Sequence, residues 1–154
     1  MNASGFAESF RLTIYGAIID GYESEFNGLF KGIDNVEYRG PFDAVKNDVY
    51  FELNQHDVSV SSSWCEGMSG TNIECKFAGV ANIVSDVGFN PECVHDGIDG
   101  LLVNPRDVNS LVNAMKRVIE DHELLYQLKV NSFRDRMHYD TSTWREDVLR
   151  TVYS

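Results

Sequence analysis

Two periodicities alternate along the chain. Short runs rich in Val, Ile and Tyr, "RLTIYGAI" (11–18), "NVEYRG" (35–40), "DVSVSSS" (57–63), "ANIVSD" (81–86) and "DGLLVN" (99–104), read as strands. Between them apolar residues recur at helical spacing. Tyr22, Phe26, Leu29, Phe30 and Ile33 share one face, and Val45, Val49 and Leu53 share another. The clearest stripe is Val108, Leu111, Val112, Met115, Val118 and Ile119, opened by Asp107 as N-cap after Pro105. "ELLYQLKVNSFRDRM" continues as helix, and "TSTWREDVLRTVY" closes the chain as another.

Strands alternating with helices predict an α/β fold, a Rossmann-like, doubly wound, mostly parallel sheet covered on both faces. Ligands of such sheets bind beyond the carboxyl ends of the strands. No repeat, linker or low-complexity stretch divides the chain, so residues 1–154 read as a single domain. Its opening, "MNASGFAESF", resembles the tail of a helix leading into the first strand. A doubly wound domain normally begins with a strand and a helix. That first unit is expected to be missing, which makes the chain an N-terminally truncated domain.

Composition narrows the possible partners. With 13 Lys and Arg against 24 Asp and Glu, the net charge of -11 argues against nucleic acid or an anionic membrane as the main partner. Cys65, Cys75 and Cys93 are odd in number and form no Cys-x-x-Cys pair, so they read as buried, reduced thiols of a cytoplasmic protein. His56, His95, His122 and His138 lack metal-ligand spacing, and no metal site is expected. No apolar run reaches the ~18 residues of a membrane span.

One joint between strand and helix stands out. "EGMSGTNIE" (66–74) places Glu66 and Glu74 at the ends of a segment otherwise free of charge. The first turn of a helix offers unpaired N–H groups and a positive dipole end to a phosphate. Gly67 and Gly70 would let the backbone approach such a ligand closely. Glu74, expected in the first helical turn, could accept hydrogen bonds from the vicinal hydroxyls of a ribose. Glu66 could do the same for a sugar beyond the phosphates. The pattern suits a nucleotide-sugar. It also has a structural reading, because Thr71 to Glu74 fit a capping box with Thr as N-cap and Glu at N3.

Three segments follow in order: the two glutamates with seven residues between them, "SDVGFNPE" (85–92) and "DGIDGLLVNPRD" (96–107). Together they resemble the C-terminal half of retaining glycosyltransferases with the GT-B fold, especially glycosyltransferase family 4 (glycosyl transferases group 1). The resemblance implies the C-terminal half of a GT-B fold and transfer of a sugar from a nucleotide diphosphate sugar to an acceptor hydroxyl. The anomeric configuration is kept and no metal or other cofactor is needed. It implies that Glu66 holds hydroxyls of the donor sugar and serves as the catalytic residue. Met68, Ser69, Gly70 and Thr71 would meet the sugar and diphosphate, and Glu74 the ribose. Gly16 and the Gly40–Pro41–Phe42 turn match loops that cradle the nucleoside.

Two departures from that pattern matter. Phe89 replaces the second glycine of the usual pair and is expected to narrow the loop beside the sugar. The family's paired Arg and Lys, which neutralise the diphosphate, belong to the missing first strand–helix unit, and Lys76 lies too far into the helix to replace them. The chain therefore reads as the donor-binding domain of a larger transferase. Its acceptor, a glycan, a lipid-linked saccharide or another hydroxyl, would be held by a missing N-terminal domain that places the enzyme at the inner face of a membrane. The alternative is a non-catalytic nucleotide-sugar binding or assembly module acting through a partner chain. A dinucleotide-dependent oxidoreductase is disfavoured, because no Gly-x-Gly-x-x-Gly follows a strand.

Overall fold

The computed structural model describes residues 9–43 and 47–142. Val45, the "MNASGFAE" opening and all but the first two residues of the expected last helix therefore lie outside the described residues. The chain divides into two compact units, residues 1–48 and 49–154.

The described part of the first unit is a βαβ motif. β1 (Leu12–Tyr15) runs parallel to β2 (Val36–Gly40), with α1 (Glu23–Leu29) between them in sequence. Phe26 of α1 packs edge-on against Tyr38, with ring centroids 4.9 Å apart, and against Phe30 at 5.2 Å. Phe26 of the helical stripe thus meets the strand, and Phe30 packs beside it. Leu29 and Ile33 of the same stripe stay exposed.

The second unit starts with α2 (Val49–Leu53) and continues through β3 (Val58–Ser61), α3 (Gly70–Ala78), β4 (Ala81–Ser85), α4 (Asn90–Cys93) and β5 (Gly100–Val103). α5 (Val108–Glu120), α6 (His122–Asp135) and a 3₁₀ turn (Arg136–Tyr139) follow. The three strands form a parallel sheet in the order β3–β4–β5, with Val58 opposite Ala81 and Asn82 opposite Gly100. β4, the middle strand, is buried at every residue. Its side chains alternate between two layers, as the strand period of two requires. Ala81 and Ile83 join Leu101, Val103, Ala114, Val118 and Leu128 on the side of α5 and α6. Val84 joins Cys93 and Val94, with Ile73 of α3 packed against them, on the other side. Helices cover both faces, as the doubly wound pattern predicts.

Local chemistry fixes the ends of these helices. The Asp107 carboxylate accepts the Ser110 N–H at 3.0 Å, the expected N-cap of α5. Val108, the first residue of the stripe, lies in that first turn and is exposed rather than packed. Asp121 ends α5 and caps α6 by accepting the Leu124 N–H at 2.9 Å. Gly79, at φ +69°, closes α3. Its N–H donates to Lys76 O and that of Val80 to Cys75 O, the two bonds of a Schellman motif.

α3 also carries a buried charge. Lys76 is fully buried, and its ammonium lies 3.1 Å from Asp99 Oδ2 and 2.8 Å from Asp135 Oδ2. The Tyr139 ring stands 5.9 Å away. One side chain therefore ties α3 to the turn before β5 and to the end of α6. Lys76→Met would leave two carboxylates without their cation, at a cost of about 3–5 kcal/mol. Urea denaturation should show that loss, and Lys76→Met combined with Asp99→Asn and Asp135→Asn should recover much of it. A single variant within ~1 kcal/mol of wild type would contradict the clamp.

Candidate functional site

The three parallel strands of the second unit end on the same edge, and their connections to the following helices gather there. The segment after β3, residues 62–69, carries the first candidate glutamate. The Glu66 side chain is half-buried, and its Oε1 accepts the Ser63 hydroxyl at 2.6 Å. Its backbone rests on the β4–α4 connection. The Phe89 N–H donates to Gly67 O at 3.2 Å, and a Cβ placed on Gly88 would fall 1.8 Å from the Glu66 carbonyl oxygen. Gly88 also stands at φ +55°, so two constraints select glycine there. Phe89 is half-buried against the Val84, Cys93 and Val94 cluster. Its ring is engaged in that packing, and its backbone is what supports the Glu66 loop.

α3 begins at Gly70 with Ser69 as N-cap, and the Ser69 side chain makes no capping bond. This corrects the capping-box expectation, since Thr71 lies inside the helix and not at its boundary. It also moves Glu74 into the second turn, because no acidic residue occupies the first. The leading N–H groups of α3 therefore meet no side-chain cap, and they stand at the positive end of the helix dipole. A Cβ on Gly67 or Gly70 would meet nothing within 4 Å. Packing does not demand glycine at either position, whereas close approach of a ligand to bare backbone would. Met68 and Thr71 are exposed. Glu74 is half-buried and makes no hydrogen bond or ion pair among the described residues.

Three buried asparagines hold this helix start in place. Asn72 Nδ2 donates to Asn90 Oδ1 at 2.9 Å, Asn90 Nδ2 to Ser85 O at 2.9 Å, and Asn82 Nδ2 to Asn72 O at 3.0 Å. The first turn of α3 is thereby bonded to β4 and to α4. Sequence reasoning missed these residues, because an amide in the interior gives no periodic signal. The available hint was "NPE", an asparagine directly before a helix-starting proline.

The cations and thiols near the glutamates have other duties. Lys76 faces the interior, so it cannot serve an anion at the helix start. It also explains the cluster of His95, Asp99 and Asp135, whose ligand atoms lie within 4.8 Å of one another. The lysine ammonium stands against Asp99 and Asp135, where a metal ion would otherwise sit. His95 is bound to Asp99 through Nδ1 at 2.8 Å. Cys75 and Cys93 are buried, and burial pushes the Cys75 thiol up to about 11 and raises that of Cys93. Cys65 is exposed, contrary to expectation, because it lies on the surface loop beside Glu66.

In the first unit, the Gly16 N–H donates to Gly40 O at 2.9 Å, and the Tyr38 hydroxyl donates to Gly16 O at 2.7 Å. Gly16 and Gly40 both have positive φ, +128° and +73°. Phe42 stacks edge-on against Tyr15, with centroids 6.2 Å apart. The two glycine turns around Gly16 and Gly40–Pro41 are thus joined at the carboxyl end of β1 and β2. A cavity of about 310 Å³ opens beside Gly16, lined by Ile14, Ile18, Tyr22, Phe26 and Tyr38 among others.

A sheet with helices on both faces and a glutamate-flanked, uncapped helix start at its carboxyl edge has the form of the C-terminal, Rossmann-like domain of GT-B glycosyltransferases. The comparisons place the chain within that class. The family model for glycosyl transferases group 1 matches residues 3–121, and the chain belongs to that family. It is 28% identical over 115 residues to an N,N'-diacetylbacillosaminyl-diphospho-undecaprenol alpha-1,3-N-acetylgalactosaminyltransferase of Campylobacter jejuni, covering 75% of this chain and 30% of that protein. It is 35% identical over 79 residues to a UDP-Gal:alpha-D-GlcNAc-diphosphoundecaprenol alpha-1,3-galactosyltransferase of Escherichia coli, covering 51% of this chain and 20% of that protein. The Anabaena protein HepE in complex with UDP shares the fold at a TM-score of 0.82 and 16% identity, over 99% of this chain and 45% of that one. Sucrose-phosphate synthase of Thermosynechococcus elongatus gives 0.77 at 25% identity, over 96% of this chain and 40% of that one. The chain thus spans 30% or less of the length of these two curated relatives.

The close contact at Gly88 makes a direct test of how the Glu66 loop is supported. Gly88→Ala is expected to displace residues 66–67 and to destabilise the protein by ~1–3 kcal/mol, through overpacking and a positive φ. Thermal unfolding reads this out. A variant as stable as wild type would show that the two connections do not touch as described.

Proposed function

We propose that the chain is the donor-binding part of a retaining glycosyltransferase, which passes a sugar from a nucleoside diphosphate to an acceptor hydroxyl. The observation that carries this reading is the uncapped start of α3 between Glu66 and Glu74. The diphosphate lies against the N–H groups of residues 68–71, which meet its charge without a lysine or arginine. Glu74, whose carboxylate has no partner among the described residues, takes the ribose hydroxyls. Glu66 orients the sugar, with its second oxygen left free by Ser63. Departure of the nucleoside diphosphate then depends on stabilising negative charge at the phosphates, a task suited to preorganised backbone donors.

The names of the relatives supply the rest of the reading. One is named for UDP-Gal, and both for saccharides on diphospho-undecaprenol. A UDP-sugar donor and a lipid-linked saccharide acceptor follow for this chain, with the acceptor held mainly by a further domain. No helix among the described residues is long and apolar enough to cross a membrane. Work on a lipid-linked acceptor would bring the protein to the cytoplasmic face of a membrane.

Calorimetric titration with UDP tests the donor site. A hydrogen bond to a charged group is worth roughly 1.5–3 kcal/mol, so Glu74→Ala should weaken binding by ~10-fold or more. Equal affinities would remove Glu74 from the nucleotide site. Glu66→Gln should leave UDP affinity nearly unchanged and slow transfer by ~10²-fold in the enzyme complete with its acceptor-binding domain, because a misplaced sugar no longer aligns with the acceptor. A collapse of UDP affinity with turnover at saturation intact would reverse the roles of the two glutamates.

A further inference from the structure

A third group stands at the carboxyl edge of the β3–β4–β5 sheet, outside the donor site just described. Trp64, two residues before Glu66, is 70% exposed. The Arg106 guanidinium carbon lies over its ring, 4.5 Å from the centroid. Arg106 stands at φ +63°, a conformation shared otherwise only with glycines among the described residues. The Asp107 N–H donates to Asn104 O at 3.3 Å, so Asn104 to Asp107 form a turn with Pro105 and Arg106 as its central pair. A turn with proline second and positive φ third is of type II, where glycine or asparagine is the unstrained choice in third place. Here arginine occupies that place and pays for it in backbone strain, a mark of functional positions.

The side chain's surroundings sharpen the point. In a chain of net charge -11, Arg106 makes no ion pair or hydrogen bond among the described residues. An arginine stacked on an indole keeps its in-plane N–H donors free at the edge, where they match the oxygens of a phosphate in pairs. The tryptophan stays 70% exposed, which leaves indole surface for a sugar ring. We propose that Trp64 and Arg106 form a second anion site, which receives the sugar-diphosphate end of the acceptor. The proposal rests on the glycosyltransferase reading and extends it to the other substrate.

Position separates this site from the donor's diphosphate. The helix start that receives the donor follows β3, whereas Arg106 follows β5, two places along the sheet. Two strand spacings are roughly 9–10 Å. Trp64, two residues before Glu66, reaches Arg106 across that interval. The named acceptors of the two relatives, saccharides on diphospho-undecaprenol, have this combination of sugar and diphosphate.

The test uses Trp64 as its own reporter. The chain has two tryptophans, and Trp144→Phe leaves Trp64 alone. N-acetylglucosamine diphosphate esterified to a short, water-soluble alkyl alcohol should quench its fluorescence saturably, and inorganic pyrophosphate should compete. Arg106→Gln should weaken that binding about tenfold or more, as expected for loss of a charge-assisted pair, with UDP affinity unchanged by calorimetry. Arg106→Gly should bind equally poorly yet melt no lower than wild type, because glycine relieves the turn. That combination cannot come from a purely structural arginine. Undiminished binding of the ester by both variants overturns the proposal, as does a wild-type chain that binds UDP but not the ester. A fall in UDP affinity in Arg106→Gln would assign the arginine to the donor instead and leave the donor site standing. Failure of the wild type to bind UDP as well as the ester would sink both readings.

Discussion

The rotation of α3 about its own axis depends on Lys76. Successive residues of a helix are about 100° apart, so Glu74 and Lys76 point about 200° apart. With the lysine held inside by Asp99 and Asp135, Glu74 must face outward. The same geometry places Asn72, one turn before Lys76, in the interior, and Gly70, one turn before Glu74, outside. A buried ion pair is weak evidence for net stability, because desolvation consumes much of the Coulomb gain. Its consequence here is orientation. An apolar residue at position 76 could slide or rotate slightly within a greasy interface, while an ammonium between two carboxylates has one favourable place.

The asparagines extend that control from the middle of α3 to its first turn. Asn72, Asn82 and Asn90 exchange hydrogen bonds with one another and with Ser85 in a region where water does not reach. In such surroundings an unmade bond is costly, which makes the arrangement specific. The helix start and the β4–α4 connection therefore move as one piece. Because the same connection carries Gly88 under the Glu66 carbonyl, both glutamates are referred to β4, the most buried strand. Glu66 comes to this frame through the backbone of its loop, and Glu74 through the side chains of its helix.

Much of this architecture was legible in the sequence, and the losses have physical causes. Each expected strand contains an observed one, because short runs rich in Val, Ile, Leu and Tyr, bounded by Gly, Asn and Asp, favour extended chain over helix. Asp107 was legible as a cap because proline and a strong apolar stripe bracket it. The start of α3 was misread by about a helical half-turn. Thr71 and Glu74 make a plausible capping box, but a box needs the chain to leave the helix at Thr71, and Gly70 continues it to the cap at Ser69 instead. Lys76 was legible only as a cation too far into the helix to serve the diphosphate, and its burial was not, because its partners, Asp99 and Asp135, are far along the chain and share no local pattern with it. Cys65 looked buried by residue type, and the loop that carries it overrode that tendency. Arg106 gave no signal at all, since a positive φ at a non-glycine residue is a property of the backbone and not of composition.

The acidity of the chain finally bears on how such a site could hold phosphate at all. Several cations are already committed to carboxylates: Lys76 to Asp99 and Asp135, Lys129 to Asp57, and Arg39 to Glu37. A surplus of exposed carboxylates repels a diphosphate at long range, and salt screens that repulsion over about 8–10 Å. At contact distance the uncapped N–H groups of α3 act over a few ångströms, where screening matters little. Backbone donors also cannot be drawn away by a neighbouring aspartate, as Lys76 is by Asp99 and Asp135. An acidic chain and anion binding at this helix start would therefore be compatible: the first would limit what approaches, and the second would act only on what arrives in register with the loop.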